Sequence, residues 1–272
     1  MIKIIGQFNH FVSICMRDFP RINKYNKKIG KYPVMDRLSI VRRFARSIAK
    51  RIMKASYSVE GLNNLPTGQV LFVPNHVSFC DPVVLLDLLE RPIAFFSKKE
   101  NKKVPVVGKA MQILGSVYLD RNDLREEVRA IKNAEKEMEN NPSLSFVIYP
   151  EGTRSHANGY PLGTFHPGSF KIATDRQVPI VPVCVYGTQK VLHPKYHYRR
   201  YPIQVAFLDP ILPSDYEALT TKEIADLVKE RIAKKEEEFK KKEPSLIQAA
   251  NGYSEKKTAK VLYKPVKEGK KS

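Results

Sequence analysis

Residues 75–82 read N-H-V-S-F-C-D-P, which places His76 and Asp81 five positions apart. The run follows a short hydrophobic stretch and leads into an apolar segment, with Pro82 where a first helical turn favours proline. His76 is thereby expected at a strand-to-helix turn, the edge of an open α/β sheet where reactive groups gather. An aspartate near the helix start can accept from one imidazole nitrogen and leave the other to take a proton from a substrate hydroxyl. These are the parts of a general base and its orienter, with no obvious protein nucleophile beside them. Ser78 lies between the two, but no G-x-S-x-G turn exists in the chain, and a serine so near the histidine would need an unusual turn to share its target. Its expected task is to cap the following helix. A His and an Asp at this spacing are more often a structural hydrogen bond than a catalytic pair, so a second constellation is needed.

The second constellation is Y-P-E-G-T-R-S at residues 149–155, again directly after a hydrophobic stretch. Gly152 permits close backbone approach, and Thr153 and Arg154 offer donors suited to a phosphomonoester. Arg121 ends G-S-V-Y-L-D-R and Lys98 ends F-F-S-K, so both fall just past expected strand ends and could converge on the same anion. Each cation taken singly reads as a solvated surface charge. His193 and His197 have the spacing of two metal ligands, yet Pro194 interrupts them and neither carboxylate nor cysteine accompanies them, so no metal is expected. Tyr196, Tyr198 and Tyr201 among Arg199 and Arg200 read as a surface loop near a membrane, with nucleic acid not expected as a partner.

The elements that must position these residues follow from periodicity. Apolar runs at 69–74, 93–96, 115–119, 145–149, 180–185 and 203–207 have strand length, and helical patterns at 82–89, 122–139 and 169–175 lie between them. The order strand, helix, strand implies an α/β fold with a mostly parallel central sheet flanked by helices. Pro179 and Pro182 bracket one strand and argue for an edge or irregular position there. The T-T-K-E run at 220–223 has the form of a capping box and opens a helix that Pro244 is expected to end.

Of the 272 residues 42% are hydrophobic, enough for a sizeable core, and the net charge is +19. The charge sits at the ends: residues 1–60 carry 14 Lys and Arg against three acids, and residues 244–272 carry seven against two. A basic head and tail around a nearly neutral middle imply delivery to an anionic surface. Three expected parts follow: a basic membrane-binding helical segment at 1–55, a catalytic domain at 56–243, and a Lys-rich tail at 244–272 without fixed structure. Within the first, residues 37–54 alternate Leu38, Val41, Phe44, Ile48 and Ile52 with Arg42, Arg43, Arg46 and Arg51, a cationic amphipathic helix that can lie in a headgroup layer. The alternative is an ordinary surface helix packed on the core. The longest uncharged run near the start, 4–16, is too short to span a bilayer, and no signal-cleavage pattern follows it. Three widely spaced cysteines fit a reducing compartment. The expected location is the cytoplasmic face of the cell membrane, peripheral or monotopic.

The four blocks together resemble the glycerolipid acyltransferases. N-H-V-S-F-C-D matches their N-H-x-x-x-x-D motif, residues 115–121 resemble their second block, 149–155 their F/Y-P-E-G-T-R-S block, and V-P-I-V-P-V at 178–183 their proline-containing fourth block. The branch most similar is the bacterial 1-acyl-sn-glycerol-3-phosphate acyltransferases. The resemblance implies that an acyl group passes from acyl-CoA or acyl-ACP to the sn-2 hydroxyl of lysophosphatidic acid, giving phosphatidic acid, with no other cofactor. It implies that His76 is the general base and Asp81 its orienter, with no acyl-enzyme. It implies that Arg121, Glu151, Gly152, Thr153 and Arg154 shape the glycerol-phosphate site, with Lys98 as a helper, and that residues 178–183 lie near an acyl tunnel. Tyr149 stands where Phe is usual, and His166 where Lys is frequent, which leaves one phosphate or carrier contact open. An acyltransferase of the same family that uses another acceptor (glycerol 3-phosphate, another lysophospholipid or an aminolipid) and an inactive basic lipid-binding protein are the remaining readings.

Overall fold

The computed structural model describes residues 2–120, 123–154, 162–193 and 195–251. Two helices open the chain, α1 (Ile2–Lys27) and α2 (Val34–Ile48), and α2 widens into a π turn over Ala49–Met53 that Lys54 ends in the left-handed region at φ 48°. Then follow β1 (Ala55–Glu60), β2 (Leu71–Pro74), α3 (Asp81–Leu88), β3 (Ile93–Lys98), α4 (Val107–Ile113), β4 (Val117–Leu119), α5 (Leu124–Asn140) and β5 (Ser145–Val147). The chain continues through α6 (Lys171–Arg176), β6 (Ile180–Tyr186), β7 (Tyr201–Phe207), α7 (Pro213–Tyr216) and α8 (Thr221–Asn251).

The seven strands form one sheet in the order β1-β7-β6-β2-β5-β3-β4, parallel throughout except between β6 and β7. Alternate residues serve opposite faces, as a pleated strand requires. Phe72, Phe95, Val147 and Val183 join α1 to α4 in one core, whereas Leu71, Phe96, Phe146 and Cys184 join α5, α6 and α8 in the other. Local chemistry sets the helix starts. Asp123 accepts from the amides of Arg125 at 2.9 Å and Glu126 at 3.4 Å ahead of α5. Before α8, Thr220 and Glu223 exchange the reciprocal bonds expected of them.

Four readings change. First, β6 is neither edge nor irregular: it lies inside the sheet, between β7 and β2, with every residue buried. Pro182 is tolerated because its carbonyl accepts from Leu208 N, so its missing donor faces the point where β7 leaves the sheet. Second, Pro244 does not end α8. Buried Glu243, paired with Lys190, and the Asn251 side chain, bonded to the backbone of Arg199 and Arg200, hold the helix on both sides of the proline. Those contacts outweigh a lost helical bond that costs about 3 kcal/mol. The tail beyond Asn251 lies outside the described residues.

Third, the apolar face of residues 37–54 is turned inward: Leu38, Val41 and Phe44 are 2%, 1% and 5% exposed and pack with α1, α3 and α4. Three of its arginines pair within the protein, Arg42 with Glu90, Arg46 with Asp87 and Arg43 with Asp18. The helix is therefore a wall of the fold, as in the alternative reading of that segment. Fourth, the exposed stripe belongs to α1, the other helix of the segment read as helical at 1–55, and not to residues 37–54. Phe11, Val12, Met16 and Phe19 are 37%, 38%, 73% and 36% exposed, and at 100° per residue they share one face. Among the described residues, no helix is long and apolar enough to cross a membrane.

Candidate active site

The strands β2, β5 and β3 are neighbours and parallel, so the loops after them leave one edge of the sheet side by side. That topology brings together the two constellations, His76 after β2 and residues 149–154 after β5, with Lys98 at the end of β3. Asn75 explains how the chain departs from β2. Its side chain donates to Val185 O at 3.0 Å and accepts from Val185 N at 2.7 Å, continuing the ladder to β6 while the backbone turns away. The first residue of the motif is thus a side-chain substitute for one more strand residue, fully buried.

His76 is held from three sides. Its backbone amide donates to Glu151 Oε1 at 2.8 Å, its Nδ1 lies 2.9 Å from Asp81 Oδ2, and its ring centroid is 4.2 Å from that of Tyr149. Asp81 is wholly buried. Its Oδ2 also accepts from the amides of Val77 at 2.9 Å and Ser78 at 2.8 Å, and Thr188 Oγ1 lies 2.6 Å from Oδ1. With Nδ1 committed as a donor to the carboxylate, Nε2 is the nitrogen left to accept a proton. Ser78 is nearly buried and its hydroxyl accepts from Cys80 N at 3.2 Å, a tight local turn instead of the helix cap expected of it. Among the described residues no hydrogen bond joins the Ser78 hydroxyl to the His76 ring, so the two do not form a nucleophile–base pair here. Burial, helped by the Asp81 charge, pushes the Cys80 thiol up to about 12, so it is not a thiolate at neutral pH. Burial and the same charge push the Tyr149 phenol well up.

Glu151 differs from its expected role. It is 3% exposed, and its two oxygens accept from His76 N and Gly163 N, both at 2.8 Å. It joins the catalytic turn to a second loop and is a clamp. A Cβ on Gly163 would stand 2.8 Å from Glu151 Oε2, which explains glycine there. Gly152, at φ 72°, makes the turn after β5. Thr153 and Arg154 follow it and are exposed, as is Lys98. These three groups form a polar rim at the same sheet edge as His76. Arg121 lies outside the described residues, although β4 runs parallel to β3 and ends at Leu119 toward that edge. His166 is exposed and its amide donates to Pro150 O, which ties its loop to the residue before Glu151.

His76 opens into an apolar cavity of about 640 Å³ roofed by α2 and its π turn. Phe44, Ile48 and Ile52 come from that roof, Cys80 from the turn before α3, Leu86 from α3, and Met111 from α4. Phe79, 59% exposed, and Phe11 of α1 stand at the same cavity. Residues 178–183, by contrast, are strand β6 and its approach, in the sheet and not in this lining. Sequence patterns located His76 and Asp81 but missed the cavity, because its walls come from segments far apart in the chain. They also missed Asn75, which sat unremarked inside the motif, and Thr188, which no pattern marked.

Residues 56–186 match the family model described as Acyltransferase. A chloroplastic 1-acyl-sn-glycerol-3-phosphate acyltransferase of Brassica napus is 38% identical over 136 residues, 49% of this chain and 38% of that one. A protein of the same name from Salmonella typhimurium is 27% identical over 183 residues, 65% of this chain and 72% of its own length. The chain thus spans well under half of the plant relative. The crystal structure of a 1-acyl-sn-glycerophosphate acyltransferase from Thermotoga maritima superposes with a TM-score of 0.66 at 23% identity, covering 88% of this chain and 98% of that one, which establishes a shared fold. Residues 56–186, a little under half of the chain, hold His76, Asp81 and Glu151 and are the part that is similar to the acyltransferase family.

Proposed function

We propose that the protein is an O-acyltransferase that acylates the sn-2 hydroxyl of 1-acyl-glycerol 3-phosphate, lysophosphatidic acid, to give phosphatidic acid. The observation that carries the reading is one imidazole, oriented by a buried carboxylate, opening into an apolar cavity beside a cationic rim. An acyl donor and a phosphorylated acceptor need those two surroundings at one point. The relatives' names supply the acceptor class.

In this mechanism Nε2 of His76 takes the proton of the acceptor hydroxyl as its oxygen attacks the thioester carbonyl. The tetrahedral species collapses with loss of the thiolate, which recovers the proton from the imidazolium, so atoms and charges balance without an acyl-enzyme. Asp81 holds the tautomer and stabilises the transient positive ring. Arg154, Thr153 and Lys98 take the acceptor phosphate, with Arg121 a further candidate, and the cavity takes an acyl chain. The carrier is the phosphopantetheine thioester of coenzyme A or of acyl carrier protein.

A lipid acceptor places the enzyme on a membrane, and the exposed stripe of α1 is the part suited to enter it. Phe11 belongs both to that stripe and to the cavity lining, so an acyl chain could pass from bilayer to cavity without crossing water. The α1 cations Arg21, Lys24 and Lys27 suit anionic headgroups on the cytoplasmic face. Purified protein with a radiolabelled acyl thioester and a panel of acceptors tests the reading. Labelled phosphatidic acid is the expected product. Label on another acceptor changes the substrate within the same chemistry, and no labelled lipid with any acceptor indicates a binding protein.

A further inference from the structure

The carboxylate that orients His76 is itself unusually placed. Asp81 is fully buried, and among the described residues no lysine or arginine forms an ion pair with it. Its negative charge is met by neutral donors on two sides. Oδ2 takes His76 Nδ1 and the amides of Val77 and Ser78, all from its own turn, and Oδ1 takes the Thr188 hydroxyl, 107 positions along the chain. The 2.6 Å separation is that of a short bond from a hydroxyl to an ionised carboxylate.

We propose that Thr188 is a positioning residue for the catalytic dyad: its hydroxyl fixes the Asp81 carboxylate from the side opposite His76 and so sets the imidazole tautomer. The proposal deepens the acyltransfer reading and rests on it for its kinetic half only. Without a donor at Oδ1, the carboxylate is anchored at one oxygen and is free to tilt about its Cβ–Cγ bond. The Nδ1 contact then lengthens, and Nε2–H competes with Nδ1–H as the neutral form.

The fold builds the turn that delivers this hydroxyl. Gly187, at φ 102°, ends β6 so close to β7 that a Cβ there would stand 2.3 Å from Pro202 O. Its amide donates to Gln189 Oε1 at 2.9 Å, and Val191 N donates to Thr188 O at 3.1 Å, closing a single helical turn over Thr188–Lys190. Lys190, two residues on, pairs with the nearly buried Glu243 of α8 and lies over the rings of Tyr186 and Tyr196. Thr188 is 1% exposed, so it bears on chemistry through Asp81 and not by touching substrate.

The experiment compares wild type with Thr188→Val, Thr188→Ala and Thr188→Ser by kinetics and by ¹⁵N NMR of the His76 ring, assigned by its loss in His76→Gln. Wild type and Thr188→Ser are expected to show one tautomer with the proton on Nδ1. Thr188→Val and Thr188→Ala are expected to show mixed tautomers and a kcat lower by about tenfold or more, with the KM for lysophosphatidic acid unchanged. Thr188→Ala guards against overpacking by the valine. Wild-type tautomer and kcat in a folded Thr188→Val or Thr188→Ala would overturn the proposal, as would a Thr188→Ser that fails to recover either. If wild type transfers no acyl group, the functional reading fails, while the NMR comparison still decides the role of Thr188.

Discussion

Two regions share one sheet edge and are built on opposite principles. In and around the turn after β2 the carboxylates and the amide are buried and matched: among the described residues Asp81 accepts four bonds, Glu151 accepts from His76 N and Gly163 N, and Asn75 both gives and takes one. The rim formed by Lys98, Thr153 and Arg154 is exposed, and its charges reach into solvent. The difference follows from what each must do. Proton transfer needs an imidazole held within a few tenths of an ångström, which only fixed donors in a dry setting supply. Attraction of a phosphate needs charge nearby, and a flexible cation in water supplies that at low cost.

The contrast predicts a graded set of losses. His76→Ala should lower kcat by roughly 10²- to 10⁴-fold with the fold intact, because the proton acceptor is gone. Asp81→Asn should lose less, since an amide oxygen can still accept from Nδ1 and the two backbone amides. Steady-state kinetics on folded protein measures both, and full activity in His76→Ala would sink the mechanism.

On the rim the loss should move to a different constant. Arg154→Ala is expected to raise the acceptor KM by an amount equivalent to about 1.5 to 3 kcal/mol, the worth of a charge-assisted bond, with kcat little changed. A change confined to kcat would place Arg154 with the buried corner and erase the distinction drawn here.

Glu151 sharpens the comparison because it sits in the rim's sequence motif but in the corner's structure. Two N–H donors converge on its carboxylate, so Glu151→Gln must set an NH₂ against one of them, at a cost of about 1 to 3 kcal/mol. The variant should unfold at lower temperature and lose kcat, leaving the acceptor KM near wild type. A raised KM at unchanged stability would return Glu151 to the phosphate site.

The smallest effects concern the helices that carry the edge to its substrate. Met16→Ser with Phe19→Ser should weaken co-sedimentation with anionic vesicles, since both side chains are exposed on α1. Arg42→Gln with Arg46→Gln should leave it nearly unchanged, because those cations are spent on Glu90 and Asp87. The reverse order would show α2, and not α1, to be the contact.

Much of this molecule could be read from the chain alone. Six of the seven strands, the mostly parallel sheet, the capping box at Thr220 and the identity of the His76–Asp81 pair follow from periodicity and short spacings, because such signals are carried by residues close in sequence, whereas β1 and α4 carried no such signal. Five residues separate the imidazole from its carboxylate, and one turn closes that distance. What the sequence could not decide were matters settled between distant segments. The face of α2 was amphipathic either way, and only packing against α1, α3 and α4 made it a cavity wall instead of a membrane surface. Pro182 and Pro244 carried the usual signals of an edge and an end, and were overruled by a ladder that leaves one side open and by contacts flanking a helix. Glu151 reads as a phosphate-site residue beside Gly152 and Arg154 until Gly163 and His76 are seen to converge on it, and Thr188 means nothing 107 residues from Asp81 until β6 returns beside β2. Buried hydrogen bonds are worth most where water is excluded, and which groups become dry together is a property of the tertiary fold.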